Sequence, residues 1–126
     1  GGLRRILNFG HTFGHAIEGY NRFRISHGQG VAWGMIIATW LSFLRGLISE
    51  EETIRIVEAV IRLSPYAVDL PNVTDAMKIM RHDKKIRGGK LVFVLLEEVG
   101  KAICVDDVSR DELAMVLRRL GEESNG

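Results

Sequence analysis

The apolar run at residues 31–44 constrains the fold of this chain more than any other stretch. Gly34, Thr39 and Ser42 interrupt it, and every other member is apolar. Fourteen residues are too few to span a bilayer, which takes about 20 in a helix. The run therefore predicts a central helix, from about residue 26 to residue 45, that is buried on most of its sides.

Composition indicates the class of protein to which this helix belongs. The chain has 126 residues, of which 46% are hydrophobic and 26% charged, as in ordinary soluble domains with one modest core. The net charge of +1 makes neither nucleic acid nor a membrane an expected partner. The single cysteine, Cys104, excludes an internal disulfide, fits a reducing compartment and is expected in the core.

Short local signals predict where helices begin and end. Ser26, Ser49 and Ser109 are each followed three residues later by Glu or Gln, which is the pattern of a capping box. Each serine is therefore expected to be the N-cap of a helix. Gly46 is expected to end the central helix as a C-cap glycine, and Gly121 to end the last helix.

Apolar periodicity between these signals predicts the remaining elements. The predicted helices cover about 4–20, 26–45, 49–63, 76–80 and 109–120, and the predicted strands cover 91–96 and 102–105. Asn72 or Thr74 is expected to cap the short helix. The charged segment 81–90 is expected to be a solvated loop, or a loop that brings a lysine to a phosphate. We therefore predict a mainly α fold, one helical domain over 1–126 with one small β-hairpin.

Three of the four histidines stand close together in the sequence. His11 and His15 are four residues apart, so on a helix their side chains differ by about 40° and face the same side. His27 falls at the first position of the central helix, where the positive end of the helix dipole favours neutral imidazole. Since imidazole is the commonest protein ligand for zinc-like metals, the pattern predicts a metal site. Surface or half-buried histidines that bind no metal are the alternative.

The neighbours of the histidines favour the metal hypothesis. Gly10 and Gly14 each precede a histidine, and a glycine inside a helix costs about 1 kcal/mol relative to alanine. We therefore expect a backbone or a ligand to approach closely there. Arg4 and Asn8 fall on the same predicted helix face as the histidines. They predict a strip that holds an anion beside the metal, with a solvated face as the alternative.

Three stretches of the chain together resemble one enzyme family. They are Arg4-x-x-x-Asn8-Phe9-Gly10-His11-Thr12-Phe13-Gly14-His15-Ala16-Ile17-Glu18, His27-Gly28-x-x-Val31-Ala32-x-Gly34-Met35 and Asp83-Lys84-Lys85. In this order and at this spacing they are similar to the C-terminal, mainly helical domain of 3-dehydroquinate synthase. Other sugar-phosphate cyclases share much of the pattern.

The resemblance implies an enzyme of the shikimate pathway, and so of aromatic amino acid biosynthesis. The family converts 3-deoxy-D-arabino-heptulosonate 7-phosphate to 3-dehydroquinate and phosphate, and it is a lyase that uses NAD and a divalent metal, zinc or another such as cobalt. The resemblance also implies a cytoplasmic location and a homodimer of the intact enzyme.

The resemblance implies roles for seven residues of this chain. His11 and His27 correspond to metal ligands, and His15 corresponds to a catalytic residue that contacts substrate. The other substrate-binding residues that it implies are Arg4, Asn8, Lys84 and Lys85, with one lysine of the pair in contact with substrate.

Two residues of the chain depart from the family pattern. The family usually has Glu and then Ala after the His27-Gly28 pair, whereas this chain has Gln29 and Gly30. Gln29 can still form a capping box, but it supplies no negative charge beside the metal. In addition, the N-terminal half, which supplies most of the NAD site and a third metal ligand, does not precede these residues. We therefore expect a fragment or isolated domain that is inactive alone and has no NAD-binding residues of its own.

Two other functions are compatible with the sequence. Another sugar-phosphate cyclase, such as one that makes 2-deoxy-scyllo-inosose, would share the motifs. A non-catalytic helical binding module would keep the histidines without a metal.

Overall fold

The computed structural model describes residues 14, 17, 18, 20, 21, 26–63, 70–86 and 92–125. Its elements in chain order are α1 (His27–Leu44), α2 (Glu50–Leu63), α3 (Val73–Ile86), β1 (Phe93–Glu98), β2 (Lys101–Val105) and α4 (Arg110–Asn125). Residues 14, 17, 18 and 20, from the expected helix over 4–20, are helical, and most of that prediction falls outside the described residues. The mainly α fold with one small hairpin is confirmed.

The central helix α1 forms the middle of the core. Ala38 and Leu41 are completely buried, and so are the hydroxyl-bearing side chains of Thr39 and Ser42. Each hydroxyl donates to the carbonyl oxygen one turn back, Thr39 Oγ1 at 2.6 Å and Ser42 Oγ at 2.7 Å, which satisfies a buried polar group. Within the described part of the chain, no helix is long and apolar enough to cross a bilayer.

The predicted capping boxes are all present. In each, the serine backbone N–H donates to the Glu or Gln side chain at 2.8–2.9 Å, and the serine hydroxyl accepts from the backbone N–H of that residue at 3.1 Å; the pairs are Ser26–Gln29, Ser49–Glu52 and Ser109–Glu112. Local i to i+3 chemistry is therefore sufficient to fix these helix starts.

Gly46 ends α1 as expected. Its φ of +76° is left-handed, its N–H donates to Phe43 O at 2.8 Å, and the N–H of Leu47 donates to Ser42 O at 3.0 Å. These two bonds form a Schellman motif, which satisfies carbonyl groups at the end of the helix.

Two predicted boundaries are wrong. Asn72 caps α3 by accepting the N–H of Asp75 at 2.9 Å, which is one of the two caps predicted. However, α3 continues to Ile86 and includes six of the ten residues predicted as a loop. The first glycine after Asn72 is Gly88, so no breaker interrupts the helix before that position. Likewise α4 runs through Gly121 to Asn125, since Gly121 does not adopt a left-handed conformation.

The hairpin packs on α1 through its first strand. β1 and β2 are antiparallel, with Leu95 opposite Ile103, and the strands extend to a two-residue turn at 99–100 that is shorter than the turn expected at 97–100. The N–H of Leu96 donates to Ser42 Oγ at 2.9 Å, which fastens β1 to α1. Cys104, on β2, is exposed, so its predicted core position is wrong.

Candidate functional site

The residues expected to build the site divide into two groups. Arg4, Asn8, His11 and His15 lie outside the described residues. His27, Lys84 and Lys85 lie within them. The roles of all seven remain predictions. The structure shows where the helices that carry the described residues lie.

His27 is the first residue of α1, as its position after Ser26 predicted, and its side chain is not described. The first turn of α1 carries no acidic residue, in contrast to the three glutamates that open α2. The positive end of the α1 dipole is therefore not neutralised by a carboxylate in that turn. Such a helix end favours anions, and it favours imidazole in its neutral form, which is the form that binds metals.

Gly14 lies in backbone contact with the start of α1. A Cβ atom built on Gly14 would lie 2.7 Å from the carbonyl oxygen of Gly30 and 2.9 Å from the Cα of Val31. Only a residue without a side chain allows the two helical segments to approach this closely. At Gly14 the close approach is confirmed and is that of a backbone, one residue before His15 and three residues after His27, whereas Gly10 lies outside the described residues.

Gly30, one of the two departures from the family pattern, is matched to the same contact. A Cβ on Gly30 would lie 2.6 Å from Cγ of Glu18 and 2.9 Å from the carbonyl oxygen of Gly14. Glu18 is buried, with 6% of its surface exposed, and fills the space that an alanine methyl would need. The other departure, Gln29, keeps the capping bonds to Ser26, so the start of α1 does not depend on a glutamate there.

Glu18 is the residue that sequence analysis left without a role. It is seven residues after His11 and three after His15, so on a helix all three share one face. A carboxylate that shares a helix face with two histidines was the available signal. Its burial against Gly30 makes it part of the helix contact.

The lysine pair lies on a helix, where a loop had been expected. Lys84 and Lys85 occupy the last turn of α3, and Lys85 is exposed, whereas the side chain of Lys84 is not described. Consecutive helical residues point about 100° apart. Two consecutive positions of a helix therefore do not face the same side, which fits a role for one lysine of the pair in contact with substrate.

The described side chains do not form a complete metal site among themselves. No group of three or more His, Cys, Asp or Glu residues close enough to hold an ion is found in that part of the chain. The imidazoles of His11, His15 and His27 remain the donors proposed from the sequence, and their side chains are not among the described ones. Imidazole suits zinc and cobalt. Gly14, next to His15 in the sequence, contacts Gly30 in the first turn of α1, the helix that begins at His27.

Comparison with known proteins decides the family. The sequence model described as 3-dehydroquinate synthase C-terminal matches residues 1–86. The chain belongs to the 3-dehydroquinate synthase family. The resemblance read from the motifs is thereby confirmed.

Relatives of this family match almost the whole chain. The 3-dehydroquinate synthase of Dichelobacter nodosus is 45% identical over 119 residues, which cover 92% of this chain and 32% of the relative. The 3-dehydroquinate synthase of Dictyoglomus turgidum is 40% identical over 124 residues, which cover 92% of this chain and 33% of the relative. The chain thus spans about a third of the length of the curated relatives it matches.

Solved structures of sugar-phosphate cyclases share the fold. ValA, a 2-epi-5-epi-valiolone synthase from Streptomyces hygroscopicus with NAD+ and Zn2+ bound, aligns with a TM-score of 0.80 and 30% identity, over 96% of this chain and 34% of that one. A 2-deoxy-scyllo-inosose synthase complexed with carbaglucose-6-phosphate, NAD+ and Co2+ aligns with a TM-score of 0.72 and 25% identity. The alignment covers 90% of this chain and 33% of that one.

Proposed function

We propose that this chain is the metal- and substrate-binding domain of a 3-dehydroquinate synthase. The intact enzyme would convert 3-deoxy-D-arabino-heptulosonate 7-phosphate to 3-dehydroquinate and phosphate, as a phosphate-eliminating lyase in the cytoplasm. Membership of the family carries the proposal. The contact of Gly14 with Gly30 supports it, because it joins the two histidine-bearing segments.

His11 and His27 are the proposed metal ligands, and the metals in similar structures, Zn2+ and Co2+, suit imidazole donors. When bound, such an ion acts as a Lewis acid on a substrate oxygen. Two protein ligands are fewer than the three that catalytic zinc sites normally use. A third ligand is therefore proposed to come from the domain that precedes this one in the intact enzyme.

The remaining proposed residues bind the substrate. Arg4, Asn8 and one lysine of the Lys84–Lys85 pair would hold its carboxylate and phosphate through charge-assisted hydrogen bonds. His15 would contact the reacting part of the substrate and hold or move a proton there.

NAD does not fit the described part of this chain. Its strands form a single antiparallel hairpin, whereas the common dinucleotide site lies at a glycine-rich turn between a parallel strand and a helix. We propose that an N-terminal domain of the intact enzyme holds NAD, and that the intact enzyme is a homodimer.

A second candidate is another sugar-phosphate cyclase. The similarity to a valiolone synthase and to a 2-deoxy-scyllo-inosose synthase favours it. Turnover by the intact protein, with the product identified as 3-dehydroquinate, 2-deoxy-scyllo-inosose or 2-epi-5-epi-valiolone, would separate the candidates. Formation of either of the last two without 3-dehydroquinate would overturn the main proposal.

Histidine variants of the intact protein test the site. His11→Ala should lose bound metal, measured by elemental analysis, whereas His15→Ala should keep the metal and lose turnover. His82→Ala is the matched control, because His82 is an exposed histidine of α3 outside the proposed site, and it should change neither quantity. Metal loss in His15→Ala with retention in His11→Ala would reverse the assignment.

A further inference from the structure

A small basic cleft lies between α3 and the start of α4. It has a volume of about 120 Å³ and is lined by Thr74, Met77, Arg81 and Arg110. The first three follow the i, i+3, i+7 spacing that places residues on one face of α3. Arg110, the first residue of α4, faces them across the cleft.

The guanidinium groups of the cleft are held in place by neutral partners. Arg110 Nη2 donates to Thr74 Oγ1 at 3.2 Å, and Arg81 Nε donates to the carbonyl oxygen of Met77 at 3.3 Å. Each bond uses one N–H of a guanidinium that has five. The remaining N–H groups are available to an acceptor in the cleft.

Neither arginine of the cleft is neutralised. Arg45, Arg55 and Arg119 each pair with a carboxylate within 4.0 Å, whereas Arg81 and Arg110 form no ion pair with any side chain in the described ranges. Asp106 lines an adjoining pocket together with Arg81 but lies beyond ion-pair distance.

We propose that this cleft is an oxyanion site, which takes phosphate or the phosphate group of a small ester. Two planar guanidinium forks and a hydroxyl match the acceptor oxygens of a tetrahedral anion. Arg81 lies one helical turn before Lys85 along α3, and none of the four lining residues is among those proposed to bind the substrate. The oxyanion site does not depend on the proposed function, because it is defined by binding and not by turnover.

Titration calorimetry with inorganic phosphate on the intact protein tests the site, at constant ionic strength so that screening is equal throughout. The double variant Arg81→Gln/Arg110→Gln should lose one phosphate per chain or bind it at least about tenfold more weakly. Arg118→Gln is the matched control, because Arg118 is another exposed arginine of α4 without an ion pair among the described residues. It should bind phosphate as the unaltered protein does.

Further variants separate this site from the proposed substrate site. Lys85→Gln should leave phosphate binding in the cleft unchanged. Arg110→Lys keeps the charge but loses the planar guanidinium, so it should weaken phosphate binding less than Arg110→Gln does. Unchanged phosphate binding in the double variant would overturn the inference. So would an equal loss in Arg118→Gln, which would indicate a general charge effect.

Discussion

At the scale of single residues, two glycines decide how the histidine-bearing segments meet. Gly14 and Gly30 contact each other through backbone atoms, and Glu18 closes the contact from one side. The family's usual alanine at position 30 would collide with Cγ of Glu18 in this arrangement. Gly30 and the buried position of Glu18 are therefore matched features of this chain.

Gly14→Ala should destabilise the intact protein by about 1–3 kcal/mol, because the new methyl group meets the backbone of Gly30, which cannot rotate away. Denaturant unfolding measures the loss, and bound metal should fall with it. Gly121→Ala is the control: a methyl there meets nothing within 4 Å inside a helix, so a gain of about 0.5–1 kcal/mol is expected. Equal stability of Gly14→Ala and the unaltered protein would contradict the close contact.

At the scale of elements, one buried serine joins the central helix to the hairpin. Ser42 Oγ donates within α1 to Ala38 O and accepts the backbone N–H of Leu96 from β1. The apolar run predicted the burial of this helix, but a hydroxyl inside that run gives no indication of which strand it serves.

Ser42→Ala should cost about 1–3 kcal/mol, because it leaves the buried N–H of Leu96 without its acceptor. The same change should speed amide hydrogen exchange at Leu96. Thr39→Val is a control of similar burial, since Thr39 bonds only to the carbonyl of Met35 within its own helix, and it should cost less than about 1 kcal/mol. Slow exchange at Leu96 in Ser42→Ala would show that the bond to Ser42 does not protect it.

A second connection joins the end of α1 to the start of α4. Arg45 contacts both carboxylate oxygens of Glu112, at 2.8 Å and 3.0 Å, and Oδ1 of Asp107 at 2.9 Å. Glu112 also accepts the N–H of Ser109 in its capping box. The hydrogen bond from Arg45 holds the pKa of the Glu112 carboxyl below its usual value, with burial opposing and Ser109 adding to the effect.

Arg45→Met should destabilise the protein by about 1–2 kcal/mol at pH 7, because the pair is only partly exposed. The pKa of Glu112 is lowered on folding, so the contribution is fully present above the ordinary value of 4.5 and is lost as the pH falls below it. The difference between the two proteins should therefore shrink in acid. Unfolding curves at pH 7 and pH 3 measure it.

The surface pair Arg55–Glu51 supplies the control for this prediction. Its side chains are 75% and 78% exposed, so Arg55→Gln should cost less than about 0.5 kcal/mol at either pH. An equal cost for Arg45→Met and Arg55→Gln would mean that the pair between α1 and α4 is as screened as an ordinary surface pair.

At the scale of the whole molecule, the chain corresponds to about a third of its relatives, and the proposed chemistry needs the remainder. Residues 1–126 alone should show no measurable 3-dehydroquinate synthase activity with added zinc and NAD, because two proposed ligands hold a metal weakly and the NAD site is proposed to lie mostly in the preceding domain. The intact protein should show turnover under the same conditions. Turnover by residues 1–126 alone would place the cofactor site within this chain.

The sequence by itself determined the features that depend on near neighbours along the chain. Capping boxes form between residues three apart, and the Schellman motif at Gly46 forms within one turn. The apolar run is sufficient to predict the burial of α1. The three motif stretches likewise carried the resemblance to the family that the comparison confirms.

Only the tertiary structure decided the features that depend on distant partners. α4 continues through Gly121, although a helix end was expected there. Cys104 is exposed because β2 is the strand of the hairpin away from α1, to which β1 is bonded. The fit of Gly30 against Glu18 depends on where two helical segments cross. Such outcomes arise from packing between residues far apart in sequence, which no local pattern encodes.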